Sequence, residues 1–419
     1  MRNIATALLA ALCVAACGGS GSSLGSGGTG GGTGGSTQNV QSVVVDAGPA
    51  ALGNMPADNT LYTTVTICAP GSTTQCQSID HIQVDTGSSG FRVLASVLMI
   101  SLPLVTASNG EAFAECLPFV DGSSFGPLRT ADIKVAGEVA SSAEIEVIGD
   151  SAYPNIPAAC TGKPENSVQQ FGANGIIGVG PFISDCGSGC ETVGTGVYYT
   201  CPTTGTCTET GMPIAQQVSN PVASFATDNN GVLIELPSVS ASGAASVSGS
   251  LIFGIGTQSN NGLGSAGIYT LVTEANATAN SQPGDLTTIF NSSSLTESFI
   301  DSGSSAYFFP DSGIPLCTTN TDFYCPTATL SLSATIEGIN GTSSVVNFGV
   351  ANADQLASGA AFPDIAASST ATAGNSGLNG SISFDWGLPF YYNRHVYTMI
   401  EGKTSGNAAT GTVGPYFAF

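Results

Sequence analysis

The sequence is poor in basic residues. Only 7 of its 419 residues are Lys or Arg, against 29 Asp or Glu, which gives a formal net charge of −22. A chain this acidic is a poor ligand for nucleic acids and for anionic membrane surfaces, because both carry negative charge themselves. The same balance suits a protein that works in acid, although solubility alone explains it equally well.

Histidine and regular helical patterns are also scarce. The only two histidines, His81 and His395, are not spaced with any cysteine pair as zinc ligands are, so we expect no metal site and no other cofactor. No long stretch repeats apolar residues with the 3.6-residue period of a helix. The remaining helical candidates are short and lie at residues 167–171, 212–218 and 389–393.

Glycine and strand-like runs dominate the remainder of the chain. The sequence has 55 Gly, and its Val/Ile-rich or alternating runs are bounded by Gly, Asn, Asp and Pro, which predicts a mainly β protein. Runs of this kind begin at Asn39, Leu61, Asp80, Ala131, Gly231, Ser250, Ser294, Thr329, Ser344 and Tyr392. About 380 residues exceed the usual size of one hydrophobic core, so we expect two β lobes, at 40–235 and 236–419. Residues 184–212 read as a Cys- and Gly-rich surface loop.

The first 39 residues are typical of an exported, anchored protein. The apolar run IATALLAALCVAA from Ile4 has the length of a signal sequence and ends in V-A-A-C, which predicts a signal peptide at 1–16 and lipidation of Cys17. Ordinary cleavage near Ala16 is the alternative. The Gly, Ser and Thr that fill 17–39 predict a flexible tether of roughly 25 Å. We expect a lipid anchor in the bacterial cell envelope, and Gly18 favours the outer membrane.

The remaining cysteines predict disulfides. Of the twelve cysteines, Cys13 lies in the predicted signal peptide and Cys17 is the predicted lipidation site, which leaves ten. Export places these ten in an oxidising compartment, and an even number allows all of them to pair. Four close pairs are suited to local bonds, and the last two cysteines then pair by exclusion. The predicted pairs are Cys68 with Cys76, Cys186 with Cys190, Cys201 with Cys207, Cys317 with Cys325, and Cys116 with Cys160.

One short phrase occurs twice. VDTGSSGFRVLAS begins at Val84 and FIDSGSSAYFFP begins at Phe299, which puts Asp85 and Asp301 in equivalent positions behind apolar residues. A single phrase of this kind is equally compatible with an ordinary turn capped by Asp. In each phrase Gly permits a tight turn, and the hydroxyl groups can hold a carboxylate in place. The residues expected to support the two acids are Thr86, Gly87, Ser88, Ser302, Gly303 and Ser304.

Two such turns that face each other would form a catalytic acid pair. Two carboxyl groups at close range cannot both ionise, so the pKa of one rises and the pair shares a proton. The pair can then take a proton from a water molecule while it protonates the carbonyl oxygen of a substrate. This chemistry needs no histidine, metal or covalent intermediate.

The paired phrases resemble those of the pepsin-like aspartic peptidases, bilobal β proteins with one D-[TS]-G turn in each lobe. In that family a strand with two apolar residues and Gly lies behind each turn. NGIIGVGPF from Asn174 and FDWGLPF from Phe384 are similar to these strands, and the resemblance extends from about Val43 to the C-terminus. It implies two related β lobes with a substrate cleft between them. Trp386 stands where the family has an aliphatic residue, and we expect it to fill the core.

FVDGSSFGPL, which begins at Phe119, is similar to the hairpin that covers the cleft in the family, the flap. The resemblance assigns the flap to Phe119, Asp121, Gly122 and Ser123. Phe119 takes the place of the family's Tyr, and Val120 takes the place of a Gly. The lipidation motif, the tether and this body together resemble an uncharacterised family of proteobacterial lipoproteins with a pepsin-like domain of unknown function.

These features predict a monomeric aspartic endopeptidase of the bacterial envelope, which binds a peptide or protein substrate between its lobes. Retention of both Asp85 and Asp301 with their glycines favours the enzyme. The altered flap favours the alternative, a non-catalytic lipoprotein that binds a peptide or protein partner in the same cleft.

Overall fold

The computed structural model describes residues 39–119, 122–160, 162–356, 360–372, 379–406 and 411–419. The predicted signal peptide, the predicted lipidation at Cys17 and all of the predicted tether except Asn39 lie outside these residues. No helix in the described part of the chain is both long and apolar enough to cross a bilayer.

The described residues form a mainly β structure, as the sequence predicts. The first eleven strands are β1 Val40–Val45, β2 Leu61–Cys68, β3 Cys76–Asp85, β4 Ser89–Leu94, β5 Ala112–Pro118, β6 Ser123–Val135, β7 Glu138–Ile148, β8 Gly175–Val179, β9 Tyr198–Cys201, β10 Thr208–Glu209 and β11 Gly231–Leu236. The others are β12 Val247–Phe253, β13 Ile268–Thr270, β14 Leu286–Phe290, β15 Ser293–Ile300, β16 Tyr307–Phe309, β17 Leu330–Glu337, β18 Ser343–Val350, β19 Ala366–Ser368, β20 Ser383–Trp386, β21 Arg394–Met399 and β22 Tyr416–Ala418.

The strands form two sheets. The larger sheet has 15 strands in the order β10-β9-β5-β6-β7-β4-β8-β3-β2-β1-β12-β11-β21-β22-β13, and the smaller has seven in the order β18-β17-β14-β15-β20-β16-β19. The larger sheet contains strands from both predicted lobes, because β12, β13, β21 and β22 follow residue 235. The smaller sheet lies wholly within residues 286–386.

The helices are few and short. The α-helices are α1 Val168–Phe171 and α2 Ser369–Thr372, and the 3₁₀ helices are Ala50–Leu52, Gly187–Glu191, Ile214–Gln216, Pro221–Ser224, Ala353–Gln355 and Leu388–Tyr391. All three short helices expected from the sequence are present, although those near residues 214 and 389 are 3₁₀ rather than α.

One apolar cluster extends through both sheets. A strand with only one face against this cluster alternates between buried and exposed residues, whereas a strand inside it is buried throughout. β17 and β18, at the margin of the smaller sheet, alternate between exposed and buried residues because one face meets solvent. β8 is buried at every position, since it crosses the core. Trp386 fills this core as expected: it is fully buried, it stacks on Phe384, and its Nε1 donates to Thr288 Oγ1 at 2.9 Å.

The prediction of a surface loop at residues 184–212 is partly wrong. Its middle forms β9, which pairs with β5, and Tyr198 and Tyr199 are buried there. A four-residue strand is too short to show alternation among so many Cys and Gly residues. Strands β9 and β10 therefore belong to the larger sheet, whereas residues 191–195 and 203–206 are exposed, as expected of a surface loop.

All five predicted disulfides are present. They join Cys68 to Cys76, Cys116 to Cys160, Cys186 to Cys190, Cys201 to Cys207, and Cys317 to Cys325. Four of them close loops of at most eight residues, and only the bond between Cys116 and Cys160 joins distant segments.

Candidate functional site

The two acidic residues of the repeated phrase stand at the ends of equivalent strands. β3 ends at Asp85, and β15 ends one residue before Asp301. Each strand runs parallel to a second strand, β8 beside β3 and β20 beside β15. The strand that follows each acid, β4 or β16, then pairs antiparallel with that second strand. The repeated phrase thus corresponds to a repeated strand arrangement.

A glycine behind each turn lets the backbone pack closely. A Cβ atom at Gly178 would lie 2.7 Å from the backbone of Ser88, and one at Gly387 would lie 2.7 Å from the carbonyl oxygen of Ser304. No side chain fits at these distances, so the two positions require glycine. The apolar-apolar-Gly pattern in the sequence marks this packing.

Thr86 and Ser302 join the two acid turns, which we define as residues 85–88 and 301–304. The backbone amide of Thr86 donates to Ser302 Oγ at 3.2 Å, and that of Ser302 donates to Thr86 Oγ1 at 3.0 Å. Thr86 Oγ1 donates in turn to the carbonyl oxygen of Ile300 at 3.2 Å, and Ser302 Oγ donates to that of Val84 at 2.9 Å. All four bonds are buried, so the turns are held in one relative position.

The carboxyl groups of Asp85 and Asp301 meet across this junction, where both accept a hydrogen bond from the amide of Gly87. The amide of Gly87 donates to Asp85 Oδ1 at 2.7 Å and to Asp301 Oδ1 at 3.1 Å, and the amide of Gly303 donates to Asp301 Oδ1 at 2.7 Å. A Cβ at Gly87 would lie 2.8 Å from Asp301 Cγ, and one at Gly303 would lie 2.5 Å from Asp85 Oδ1. Glycine at both positions is what lets the acids approach.

The outer oxygen of each carboxyl group accepts a hydrogen bond from a serine of its own turn. Ser88 donates through Oγ to Asp85 Oδ2, and Ser304 donates through Oγ to Asp301 Oδ2 at 2.8 Å. The structure therefore brings together all eight residues that the sequence assigns to the acid pair and its support.

The environment favours a proton on Asp301. Burial raises its pKa well above the usual value, and the negative charges of Asp85 and Asp385 raise it further. The bond from the Gly303 amide opposes this shift only in part. Protonation of Asp301 thus relieves both the burial of its charge and its repulsion from Asp85.

Sequence reasoning missed two residues that hold the turns from outside. Tyr391 Oη lies 2.8 Å from Thr86 Oγ1, and because the Thr86 proton goes to a carbonyl oxygen, the tyrosine is the donor. Gln83 Nε2 donates to the carbonyl oxygen of Gly303 at 2.8 Å. Gln83 could have been suspected as a polar residue in an otherwise apolar strand end. No sequence signal connects Tyr391 with a turn 305 residues away.

A third buried acid, Asp385, was also missed. It lies on β20, opposite Phe299 of β15, which is two residues before Asp301. Burial and the charge of Asp85 raise its pKa well above the usual value. Asp385 is visible in the phrase FDWGLPF, but its apolar neighbours predict an ordinary core strand. Nothing in the phrase indicates that this acid lies near Asp301.

The flap residues are only partly described. Phe119 directly follows β5, and its ring packs edge-on against Phe171 of α1 with 5.7 Å between ring centres. Asp121 and the neighbouring Val120 lie outside the described residues. The ring of Phe119 thus contributes to the packing around α1.

Gly122 and Ser123 lie where the hairpin passes the segment at residue 163. A Cβ at Gly122 would come within 2.4 Å of the carbonyl oxygen of Lys163, and the amide of Ser123 donates to that oxygen at 2.9 Å. Strand β5 of the hairpin pairs with β6 on one edge and with β9 on the other. Cys116, near the end of β5, forms a disulfide with Cys160. The base of the hairpin is thus secured on both sides.

One group of three possible metal ligands occurs among the described residues, and it includes neither Asp85 nor Asp301. It consists of Cys317, Cys325 and Asp354. The two cysteines are joined in a disulfide, so neither offers a free thiolate.

A comparison with curated proteins finds no match for this sequence. Residues 35–419 match the family described as protein of unknown function (DUF3443). The match includes both acid turns and every described strand. The chain therefore belongs to the DUF3443 family of proteins of unknown function.

Proposed function

We propose that this protein is a pepsin-like aspartic endopeptidase of the bacterial cell envelope. One observation carries the proposal: the two acid turns bond reciprocally, so that Asp85 and Asp301 share the amide of Gly87 in a buried contact. Equivalent strand pairings around the two turns support a duplicated, bilobal architecture. The anchor at Cys17 and the outer-membrane location belong to the same proposal.

The pair works with one shared proton. Asp301 is the acid that burial favours in its neutral form, so it donates to the carbonyl oxygen of the scissile peptide bond. Asp85 takes a proton from a water molecule, and the resulting hydroxide attacks the carbonyl carbon to give a geminal diol. Asp85 then protonates the amide nitrogen, Asp301 recovers a proton from a diol hydroxyl, and the C–N bond breaks. Both acids return to their starting state.

The direct test is cleavage of an acid-denatured protein substrate by the purified full chain between pH 3 and 6. We expect peptide products whose formation is blocked by pepstatin and lost in Asp85→Asn and Asp301→Asn. Asp285→Asn is the matched control, because Asp285 is a buried acid on a different loop whose Oδ2 accepts from the Gln282 amide. An inactive wild type, or full activity in either acid-pair variant, would refute the proposal.

A second function, binding without turnover, is favoured by the hairpin. Phe119 lacks a hydroxyl group and packs on Phe171, and the pairing of β5 with β9 restrains the hairpin base. A non-catalytic protein would retain a peptide or protein ligand in Asp301→Asn and release no products. Products from the wild type that vanish in this variant would eliminate this alternative.

A further inference from the structure

Asp385 is a carboxyl group in a position where the fold needs none. It is 6% exposed, and its Oδ1 has no hydrogen-bond partner among the described residues. Burial of a carboxyl group without full hydrogen bonding is costly, and the cost is smallest when the group is neutral. A carboxyl group at such a position therefore calls for a role at the site that it adjoins.

The other acid turn provides an internal comparison. In the first parallel pair Ile176 lies opposite Gln83, two residues before Asp85. In the second pair Asp385 lies opposite Phe299, two residues before Asp301. Ile176 is therefore the counterpart of Asp385, and it is buried as well. An aliphatic side chain fills this position on the Asp85 side of the acid pair. An ionisable side chain fills the equivalent position on the Asp301 side.

Backbone hydrogen bonds join the strand end that carries Asp385 to the turn that carries Asp301. The amide of Asp301 donates to the carbonyl oxygen of Trp386, the residue after Asp385, at 3.1 Å. The amide of Leu388 donates to the carbonyl oxygen of Ser304 at 2.7 Å. Asp385 is therefore fixed beside the Asp301 turn.

We propose that Asp385 is a positioning residue whose charge, held beside the Asp301 turn, keeps the shared proton on Asp85 and Asp301 up to a higher pH. This inference rests on the proposed function and specifies how the site is regulated. When Asp385 ionises, it adds a negative charge beside the pair. This charge favours the protonated form of Asp301, and the pKa of Asp301 is indeed raised by the Asp385 charge.

The surroundings leave this negative charge uncompensated. The titratable groups on the elements packed against Asp385 are Asp85 and Asp301 on the turns, Tyr391 on the adjoining 3₁₀ helix, Glu297 on β15, and Tyr307 on β16. Burial raises the pKa of Tyr391, and the three nearby aspartates raise it further, so this group stays neutral. Among the described residues no Lys, Arg or His acts on Asp385, and Arg394 donates to the carbonyl oxygen of Phe390.

The test compares the full chain with Asp385→Asn and Asp385→Ile. Asparagine keeps the shape without the charge, and isoleucine is the residue at the counterpart position. Both should move the alkaline midpoint of kcat/KM down by about one pH unit, the effect of removing one nearby like charge. At a pH above that midpoint the rate should fall about tenfold against wild type. An alkaline midpoint that is unchanged or higher in both variants would overturn the inference.

Carbon-13 NMR of the aspartate carboxyl groups separates this inference from the proposed function. The Asp301 resonance, assigned by its absence in Asp301→Asn, should titrate at lower pH in Asp385→Asn and at the wild-type pH in the control Asp285→Asn. This shift would support the role of Asp385 even if the wild type hydrolysed no peptide, in which case the proposed function alone would fail. Hydrolysis by the wild type together with an unshifted Asp301 titration would refute the role of Asp385 alone.

Discussion

Replacement of Glu146 by Gln should make the protein more stable at neutral pH and leave its stability in acid almost unchanged. Glu146 belongs to a buried cluster in which three acids surround one cation, Arg92. Arg92 Nη2 lies 2.6 Å from Glu115 Oε1 and 3.3 Å from Asp185 Oδ2, and its Nε lies 3.5 Å from Glu146 Oε2. One guanidinium cannot neutralise three carboxylates.

The pKa directions show which acids keep their protons. The charge of Arg92 and its hydrogen bonds hold the pKa of Glu115 below its usual value despite burial. Burial and the charge of Glu115 raise the pKa of Glu146 and of Asp185 well above theirs. The cluster is therefore close to neutral in the folded protein, with one ion pair and two protonated acids.

The sign of the pH dependence follows from these directions. Glu146 ionises near pH 4.5 in the unfolded chain and at a higher pH in the folded chain. Between these values the folded state binds more protons, so the free energy of unfolding falls by about 1.4 kcal/mol per pH unit for this group. Glutamine imitates the protonated form and can still accept from Ser124 Oγ, which lies 2.8 Å from Glu146 Oε2. The stability of the variant should therefore exceed that of wild type by a margin that grows from about pH 4.5 upward.

Urea unfolding at pH 4, 6 and 8 measures this margin. Glu191→Gln, at an exposed carboxyl group in the 3₁₀ helix Gly187–Glu191, is the matched control and should show no growing margin. A Glu146→Gln protein that is less stable than wild type at every pH, or whose margin is constant, would refute the reasoning.

Three further substitutions test other contacts. Asn59→Ala should lower the free energy of unfolding by about 3–5 kcal/mol in a denaturant titration. The fully buried Asn59 side chain makes four hydrogen bonds, one to Ser305, two to Phe362 and one to Tyr392. A loss below about 1 kcal/mol would contradict this. Gly303→Ala should abolish peptide hydrolysis in a folded protein, since its Cβ would press on Asp85, whereas Gly189→Ala, with open space around it, should not. Tyr391→Phe should reduce kcat about five- to tenfold, the value of one buried hydrogen bond to Thr86, and an unchanged kcat would exclude that role.

Local features of this fold were predictable from the sequence. The disulfides followed because cysteines four to eight residues apart leave few other partners, and exclusion then fixed the pair formed by Cys116 and Cys160. The contact between Asp85 and Asp301 followed from the repeat, because a duplicated phrase implies a duplicated setting. Strand β9 was missed because four residues carry too little periodicity.

Contacts that depend on register between distant strands were not predictable. Asp385 lies beside the Asp301 turn only because β20 runs parallel to β15 in one particular alignment. Arg92 meets Glu115 and Asp185 through strands and loops whose neighbours cannot be deduced from charge spacing. A shift of one residue would turn these side chains to the opposite face of the sheet.

The central claim, that Asp85 and Asp301 act as one unit, is tested most directly by the kcat/KM values of Asp85→Asn, Asp301→Asn and the double variant on one peptide substrate. Groups that act together lose their effect together, so all three proteins should fall to the same residual rate. Losses that add in the double variant, or a single variant that retains substantial activity, would show that the two acids do not share the reaction.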